Sequence, residues 1–291
     1  MTEELTLRQR DLIDHVLWRC PFLERFAWHP VYRPVDEERD SRLCTKFGGN
    51  KPFRSDNFTW PVCGECSDHK AFMCQINIAN LPPLLRKHIK MTSGLFQFFY
   101  CQKCMPFETY EDMYIIKSPD LVPSLKSLAA EKVGALKGYN PMTLPPILRK
   151  FVKECTESMG TRWDNDYVVD RLTKEIELPH YEEILDSNSD IAKEIKREAN
   201  LTDEQYQSFV DCFMTSGAKS VDSGTKLGGW FDWGLGWSDV MYLECPDCEV
   251  RMDISFLQIL KLFFGNQRKY VFNNGFVMLC HQCKKPGMLR V

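Results

Sequence analysis

The sequence has no long apolar run, no excess of positive charge and no catalytic signature, and each absence removes a class of function. No uninterrupted apolar stretch approaches the roughly 20 residues that span a bilayer, so no membrane crossing is expected. Lys and Arg number 37 against 40 Asp and Glu, a net charge of −3. A protein living on nucleic-acid phosphates carries a basic footprint instead. His-Glu-x-x-His, Gly-x-Ser-x-Gly and phosphate-loop patterns are missing. His180, in Leu178-Pro179-His180-Tyr181, is the best acid–base candidate, but it reads more readily as a capping or surface histidine. Asp186, Asn188 and Asp190 open like a calcium loop, yet Ile191 stands where glycine belongs and Arg197 where the bidentate glutamate is needed. Met1 to Arg8 lack the basic and apolar regions of a signal peptide, so a reducing address is expected, cytoplasmic with the nucleus as the other compartment.

What the sequence does have is cysteine, thirteen in all, and eight of them fall in a frame that is written twice. The first copy runs Lys46-Phe47-Gly48-Gly49, Cys63-Gly64-Glu65-Cys66, then Gly94-Leu95-Phe96-Gln97-Phe98-Phe99-Tyr100-Cys101-Gln102-Lys103-Cys104. The second runs Lys226-Leu227-Gly228-Gly229, Cys245-Pro246-Asp247-Cys248, then Gly275-Phe276-Val277-Met278-Leu279-Cys280-His281-Gln282-Cys283. Lys226 follows Lys46 by 180 residues, Cys245 follows Cys63 by 182, and Cys280 follows Cys101 by 179.

A Cys-x-x-Cys turn offers two thiolates to one cation, and two such turns complete a tetrahedron. Cys63, Cys66, Cys101 and Cys104 are the natural set for one zinc ion, and Cys245, Cys248, Cys280 and Cys283 for a second, with a pairing swapped between the two copies as the alternative that would need the halves to interlock. Four thiolates leave no open position, so both ions are expected to be structural. An iron–sulfur cluster also takes four thiolates and stays open as the alternative. A redox dithiol is disfavoured because no βαβ context surrounds the pairs. Cys20, Cys44, Cys74, Cys155 and Cys212 read as core or surface residues, with Cys74 close enough in sequence to compete for the first ion. His69 and His281 are further substitutes that the complete cysteine sets make unnecessary.

The expected fold class is α+β: two similar half-domains related by internal duplication, each with a four-cysteine zinc site, joined by a helical insert. Residues 1–30 read as an N-terminal helical segment, 31–116 as the first half, 117–222 as the insert and 223–291 as the second half. Strands are expected at 71–78, 95–100, 114–116, 252–254 and 276–279. Helices are expected at 2–29 with a break at Pro21, at 146–158, 189–199 and 256–264, and at 202–214, where Thr202 and Gln205 fit a capping box. Residues 31–45 read as a charged surface connection.

Around Lys46-Phe47-Gly48-Gly49, Trp60-Pro61-x-Cys63, Phe72-x-x-Gln75-Ile76 and Gly94-Leu95-Phe96-Gln97 the chain resembles the YwqG-like family, with the second Lys-Leu-Gly-Gly at that family's second glycine pair. The resemblance implies an α+β fold of two similar halves and leaves the activity undefined. Trp230-Phe231-Asp232-Trp233-Gly234 departs from the family's proline-containing turn. A more distant likeness to the programmed cell death protein 2 family implies a chaperone or adaptor role.

Trp230, Phe231, Trp233 and Trp237, with Gly48, Gly49, Gly228 and Gly229, form the candidate ligand- or partner-binding set. An aromatic plug between the halves is the plainer reading, and a peptide-binding groove the functional one. Arg268, Lys269, Lys284, Lys285 and Arg290 cluster near the second cysteine site and supply an RNA- or DNA-binding alternative. The reading favoured is a non-catalytic adaptor or chaperone-like module with a protein partner and two Zn2+ ions. An enzyme with a site between the halves is the third alternative.

Overall fold

Local signals start and stop the helices. In the computed structural model, Thr6 caps α1 (Leu7–Arg19), accepting from the Gln9 N–H at 3.3 Å while its own N–H donates to Gln9 Oε1 at 2.8 Å. α2 (Pro83–His88) opens on proline, whose missing N–H costs nothing in a first turn. Past α3 (Tyr181–Leu185), Ser189 caps α4 (Asp190–Ala199), which ends on left-handed Asn200. The expected Thr202–Gln205 box opens α5 (Asp203–Thr215). The structure describes residues 6–36, 40–48, 52–54, 58–101, 103–104, 108–110, 113–117, 167–179, 181–185, 187, 189–216, 225–231, 243–252, 254–260 and 274–290. His180, Cys155, Gly49, Trp233, Trp237, Arg268, Lys269 and the helix expected at 146–158 lie outside them. No helix among the described residues is long and apolar enough to cross a membrane.

The strands are β1 (Arg25–Pro34), β2 (Lys46–Phe47), β3 (Ala71–Asn77), β4 (Leu95–Tyr100), β5 (Glu108–Thr109) and β6 (Met113–Ile116). They continue with β7 (Tyr167–Glu177), β8 (Lys226–Gly228), β9 (Ile254–Leu260), β10 (Asn274–Leu279) and β11 (Pro286–Arg290). All pair antiparallel in one sheet of order β5-β11-β10-β9-β8-β1-β7-β2-β3-β4-β6. Its two ends, β5 and β6, are neighbours along the chain, and β6 also lies against β11, so the sheet is nearly closed. The fold is thus a mixed helix-and-strand one.

β2-β3-β4-β6 lies on one side of the central β1–β7 pair and β8-β9-β10-β11 on the other. Their inner faces share one core, in which Phe96 meets Phe256 edge to face at 5.0 Å and α2 contributes Leu85. A second core fills the helical layer, with Val16 of α1, Ile184 of α3, Ile195 of α4 and Phe209 of α5. Trp230 Nε1 ties the two layers by donating to Leu23 O at 2.8 Å.

Four expectations of local structure are corrected. Residues 25–29 continue as strand β1 rather than helix, and 31–34 belong to it rather than to a surface connection. Within the helical insert, Tyr167–Glu177 is a long strand whose register with β1 runs from Arg25↔Glu177 to Pro34↔Tyr167. Ile254–Leu260 is strand β9, not the start of a helix at Phe256, because both its neighbours, β8 and β10, bond it as a ladder.

Candidate metal centres and the second glycine pair

The four-cysteine groups are built by tight turns. Cys63 N–H donates to Asp68 O at 2.9 Å while Ser67 N–H returns to Cys63 O at 2.9 Å. Cys245 repeats this with Val250 O at 2.9 Å and Glu249 N–H at 2.8 Å, and Cys280 with Lys285 O at 3.0 Å and Lys284 N–H at 3.1 Å. The return residue is left-handed each time: Ser67 at φ 59°, Glu249 at 57° and Lys284 at 61°. None is glycine, so these turns hold a backbone that side chains ordinarily resist.

β3 and β4 carry the first pair of turns together and β9 and β10 the second. Cys63, Cys66, Cys101 and Cys104 have all sulfurs within 4.8 Å of one another, as do Cys245, Cys248, Cys280 and Cys283. Among the described residues these are the groups that could hold a metal ion. Individual separations are 3.6 Å for Cys66–Cys101, 3.1 Å for Cys245–Cys283, 3.4 Å for Cys248–Cys280 and 3.9 Å for Cys248–Cys283. A tetrahedral ion with Zn–S bonds of about 2.3 Å sets its sulfurs about 3.8 Å apart, so the groups fit one ion each. An iron–sulfur cluster places iron and sulfide atoms between its thiolates and needs wider spacing than this. Burial follows one order twice: first and third cysteines buried, second half-buried, fourth exposed.

Four thiols this close cannot all ionise without a cation. Cys63 is drawn down to about 7, chiefly by the Cys66 N–H, with burial opposing. At Cys280 burial pushes up, but the N–H groups of Cys283 and Gln282 and the adjacent thiols bring it to about 6. Cys104 is pushed up to about 12 by the Cys66 thiol beside it. At Cys248 the Val250 N–H pulls down, but burial and three neighbouring thiols carry it to about 12. A bound dication removes this conflict, since coordination deprotonates a thiol outright. Lys103 Nζ, 3.3 Å from Asp68, and Lys285 Nζ, 2.6 Å from Asp247, join the two turns of each site and bring positive charge beside the sulfurs.

The remaining described cysteines stand apart. Cys74 is fully buried in the inner core, where desolvation raises its thiol, and it belongs to neither group. Burial pushes Cys20 up to about 11, and Cys44 and Cys212 are raised for the same reason. His69 and His281 are in neither group.

Residues 45–234 match the family described as a domain of unknown function, DUF1963. The chain belongs to the DUF1963 family. YwqG-like proteins are members of it. The DUF1963 match takes in the first cysteine group and the second glycine pair but stops before Cys245. No curated protein matches the chain.

At the second glycine pair, Lys226, fully buried, donates to both oxygens of Glu177 at 2.6 and 2.7 Å. Trp230 N–H adds a third bond to that carboxylate at 3.1 Å, and His29 Nε2 lies 3.9 Å away. The sequence motif contained Lys226, but its partner is 49 positions earlier in a strand that composition did not reveal. Trp230 and Phe231 are both packed inside, Trp230 under the Arg25 guanidinium at 3.4 Å and Phe231 against Phe276 at 5.0 Å. Gly48 sits at φ 72° after β2 and donates to Met73 O at 2.8 Å.

Gly228 and Gly229 turn the chain at φ 69° and 72°. A Cβ on Gly229 would lie 2.8 Å from that of Ala27 and closer still to Glu177 Oε2. Gly229→Ala is therefore expected to cost about 3 kcal/mol of unfolding free energy in urea. Gly64→Ala, where a Cβ meets nothing within 4 Å, serves as the control and should change stability by no more than about 0.5 kcal/mol.

Proposed function

We propose that this is a non-catalytic, intracellular, YwqG-like protein-interaction module in which two structural zinc ions hold two duplicated halves in shape. The observation that carries the reading is the pair of four-sulfur groups with single-ion spacing and the same burial order. A cation held by four thiolates has no open position for water or substrate, so its binding free energy goes into folding.

Duplication is supported by details beyond the cysteines. Lys46 faces Gln75 in the ladder as Lys226 faces Gln258. The first ladder bulges between Phe72 and Cys74, and the second at the corresponding place, between Ser255 and Leu257. On this reading the leading strands are exchanged, since β1 bonds β8 of the second half while β7 bonds β2 of the first.

A protein partner is favoured over nucleic acid by two observations. Trp18 on α1 is 75% exposed, in line with Leu7 three turns earlier, which is 79% exposed, and large exposed aromatics suit protein recognition. Among the basic residues near the second cysteine group, Lys285 is already paired with Asp247 and Lys284 Nζ donates to His281 O.

Native mass spectrometry with elemental analysis of protein purified from cells tests the proposal. Two zinc ions per chain are expected, with a co-purifying protein that Trp18→Ala diminishes. Iron in place of zinc, or retention on RNA at low salt, overturns the corresponding part.

A further inference from the structure

Independently of that reading, we propose that the open edge of β7 is a homodimer interface, in which a second copy of the chain adds its own β7 antiparallel about a two-fold axis at Thr173. β7 is bonded along one side by β1 for its whole length, but on its other side, among the described residues, β2 pairs only with Tyr167 and Val168. Val169 N–H, just beyond, donates to Thr45 O at 2.9 Å.

Which groups face the open side follows from β1. A Cβ on Gly228 of β8 would lie 3.1 Å from Phe26 O, so Phe26 turns its backbone polar groups towards β8, and with it the even-numbered residues of β1. The odd-numbered ones face β7, as Thr173 Oγ1 donating to His29 O at 3.2 Å also requires. Thr173 and Glu175 therefore bond to β1, and the N–H and C=O of Leu172, Lys174 and Ile176 point to the open edge. Among the described residues nothing bonds them. Side chains from Thr173 to Ile176 are all exposed, as a ribbon clear of its neighbours requires.

Charges on an edge strand ordinarily discourage pairing. Here their order is self-complementary. About Thr173, Arg171 meets Glu175 of the second copy and Glu175 meets its Arg171, while Leu172 and Lys174 exchange backbone bonds with their counterparts. Opposite charges directly across a ladder are favourable. Among the described residues Arg171 pairs within one copy with Asp170 on its own strand, at 3.9 Å. The neighbouring registers are poorer: centring on Lys174 sets it against its own copy, and centring on Leu172 opposes Lys174 to Asp170, a carboxylate that already holds Arg33 at 3.3 Å. So short a ladder makes a small interface, and dissociation in the micromolar range is expected.

The test is light scattering and sedimentation of the full chain from micromolar to submillimolar concentration. Wild type should show a monomer–dimer equilibrium. Lys174→Pro, which removes an edge N–H but leaves the bonds of Thr173 and Glu175 to β1, should weaken it at least about tenfold. Arg171→Glu and Glu175→Arg should each weaken self-association at least about tenfold, yet the two variants mixed should pair with each other. A fold merely damaged by either substitution does not regain association on mixing. Wild type monomeric throughout the range, or a dimer indifferent to these charge changes and to mixing, overturns the proposal.

Discussion

Cys245→Ser is expected to empty the second metal site and unfold the half of the sheet that carries it. Cys245 and Cys280 are not only candidate ligands. With Leu243, Met252 and Phe231 they belong to the cluster that packs on Phe276 and Met278 of β10 and Leu289 of β11. Losing the ion therefore releases the loop that shields those side chains. Structural zinc contributes roughly 10–16 kcal/mol to folding in small zinc peptides at neutral pH. One lost thiolate should thus lower stability here on the order of 5 kcal/mol. Elemental analysis should fall from two ions per chain to one, and the thermal midpoint should drop well below that of Cys74→Ala, which creates a small cavity but keeps both ions. An unchanged metal count in Cys245→Ser would sink the assignment. Acid should act in the same direction. Cys63 and Cys280, drawn down to about 7 and about 6 from 9.0, contribute stability that is fully present above the unfolded thiol range. Without metal it is lost as pH falls through those values; a bound dication competes with the protons and holds the thiolates to lower pH. Metal release should accordingly rise as pH is lowered below the thiol range, and a metal content flat down to strongly acidic pH would contradict it.

The cysteine groups were legible because their determinants are local. Each turn closes within six residues, as from Cys63 to Asp68, and the strands behind it, β4 and β10, are short apolar runs. The capping boxes at Thr6 and Thr202 are local too, although only the second was read. The central pair was illegible for the opposite reason. Tyr167-Val168-Val169-Asp170-Arg171-Leu172-Thr173-Lys174-Glu175-Ile176-Glu177 is exposed on both faces through its middle, so it has no alternating pattern to read. Arg25–Pro34 becomes a strand because of a partner some 140 residues away, and its Pro30 and Pro34 argue locally against one. Prolines are tolerated there because β8 reaches only Ala27 and Trp28. The second glycine pair was recognised as a motif, but its reason, a carboxylate lodged against the turn, is a tertiary fact.

That carboxylate gives the other large effect: Lys226→Met should destabilise the protein by about 3–5 kcal/mol. Lys226 and Glu177 have side-chain exposures of 0% and 4%, so neither charge has water to return to when the other is removed. The pair also joins elements that are distant in sequence. Glu177 ends β7 where the chain leaves for the helical layer, and Lys226 begins β8 two residues before the glycine turn. With the ammonium gone, the carboxylate keeps the Trp230 N–H but faces Ala27 and the glycine turn as a buried anion. Glu177→Gln leaves the mirror problem, a buried ammonium, at a similar cost. The two changes together should cost clearly less than their sum, because the neutral amide and thioether leave no buried charge, giving a coupling of about 2 kcal/mol or more in a double-mutant cycle. Urea unfolding of the four proteins measures it, and strictly additive losses would mean that the ion pair does not hold the turn. Metal content should stay at two ions per chain in all four, since neither residue belongs to a cysteine group. That separates a latch between β7 and β8 from a secondary consequence of metal loss.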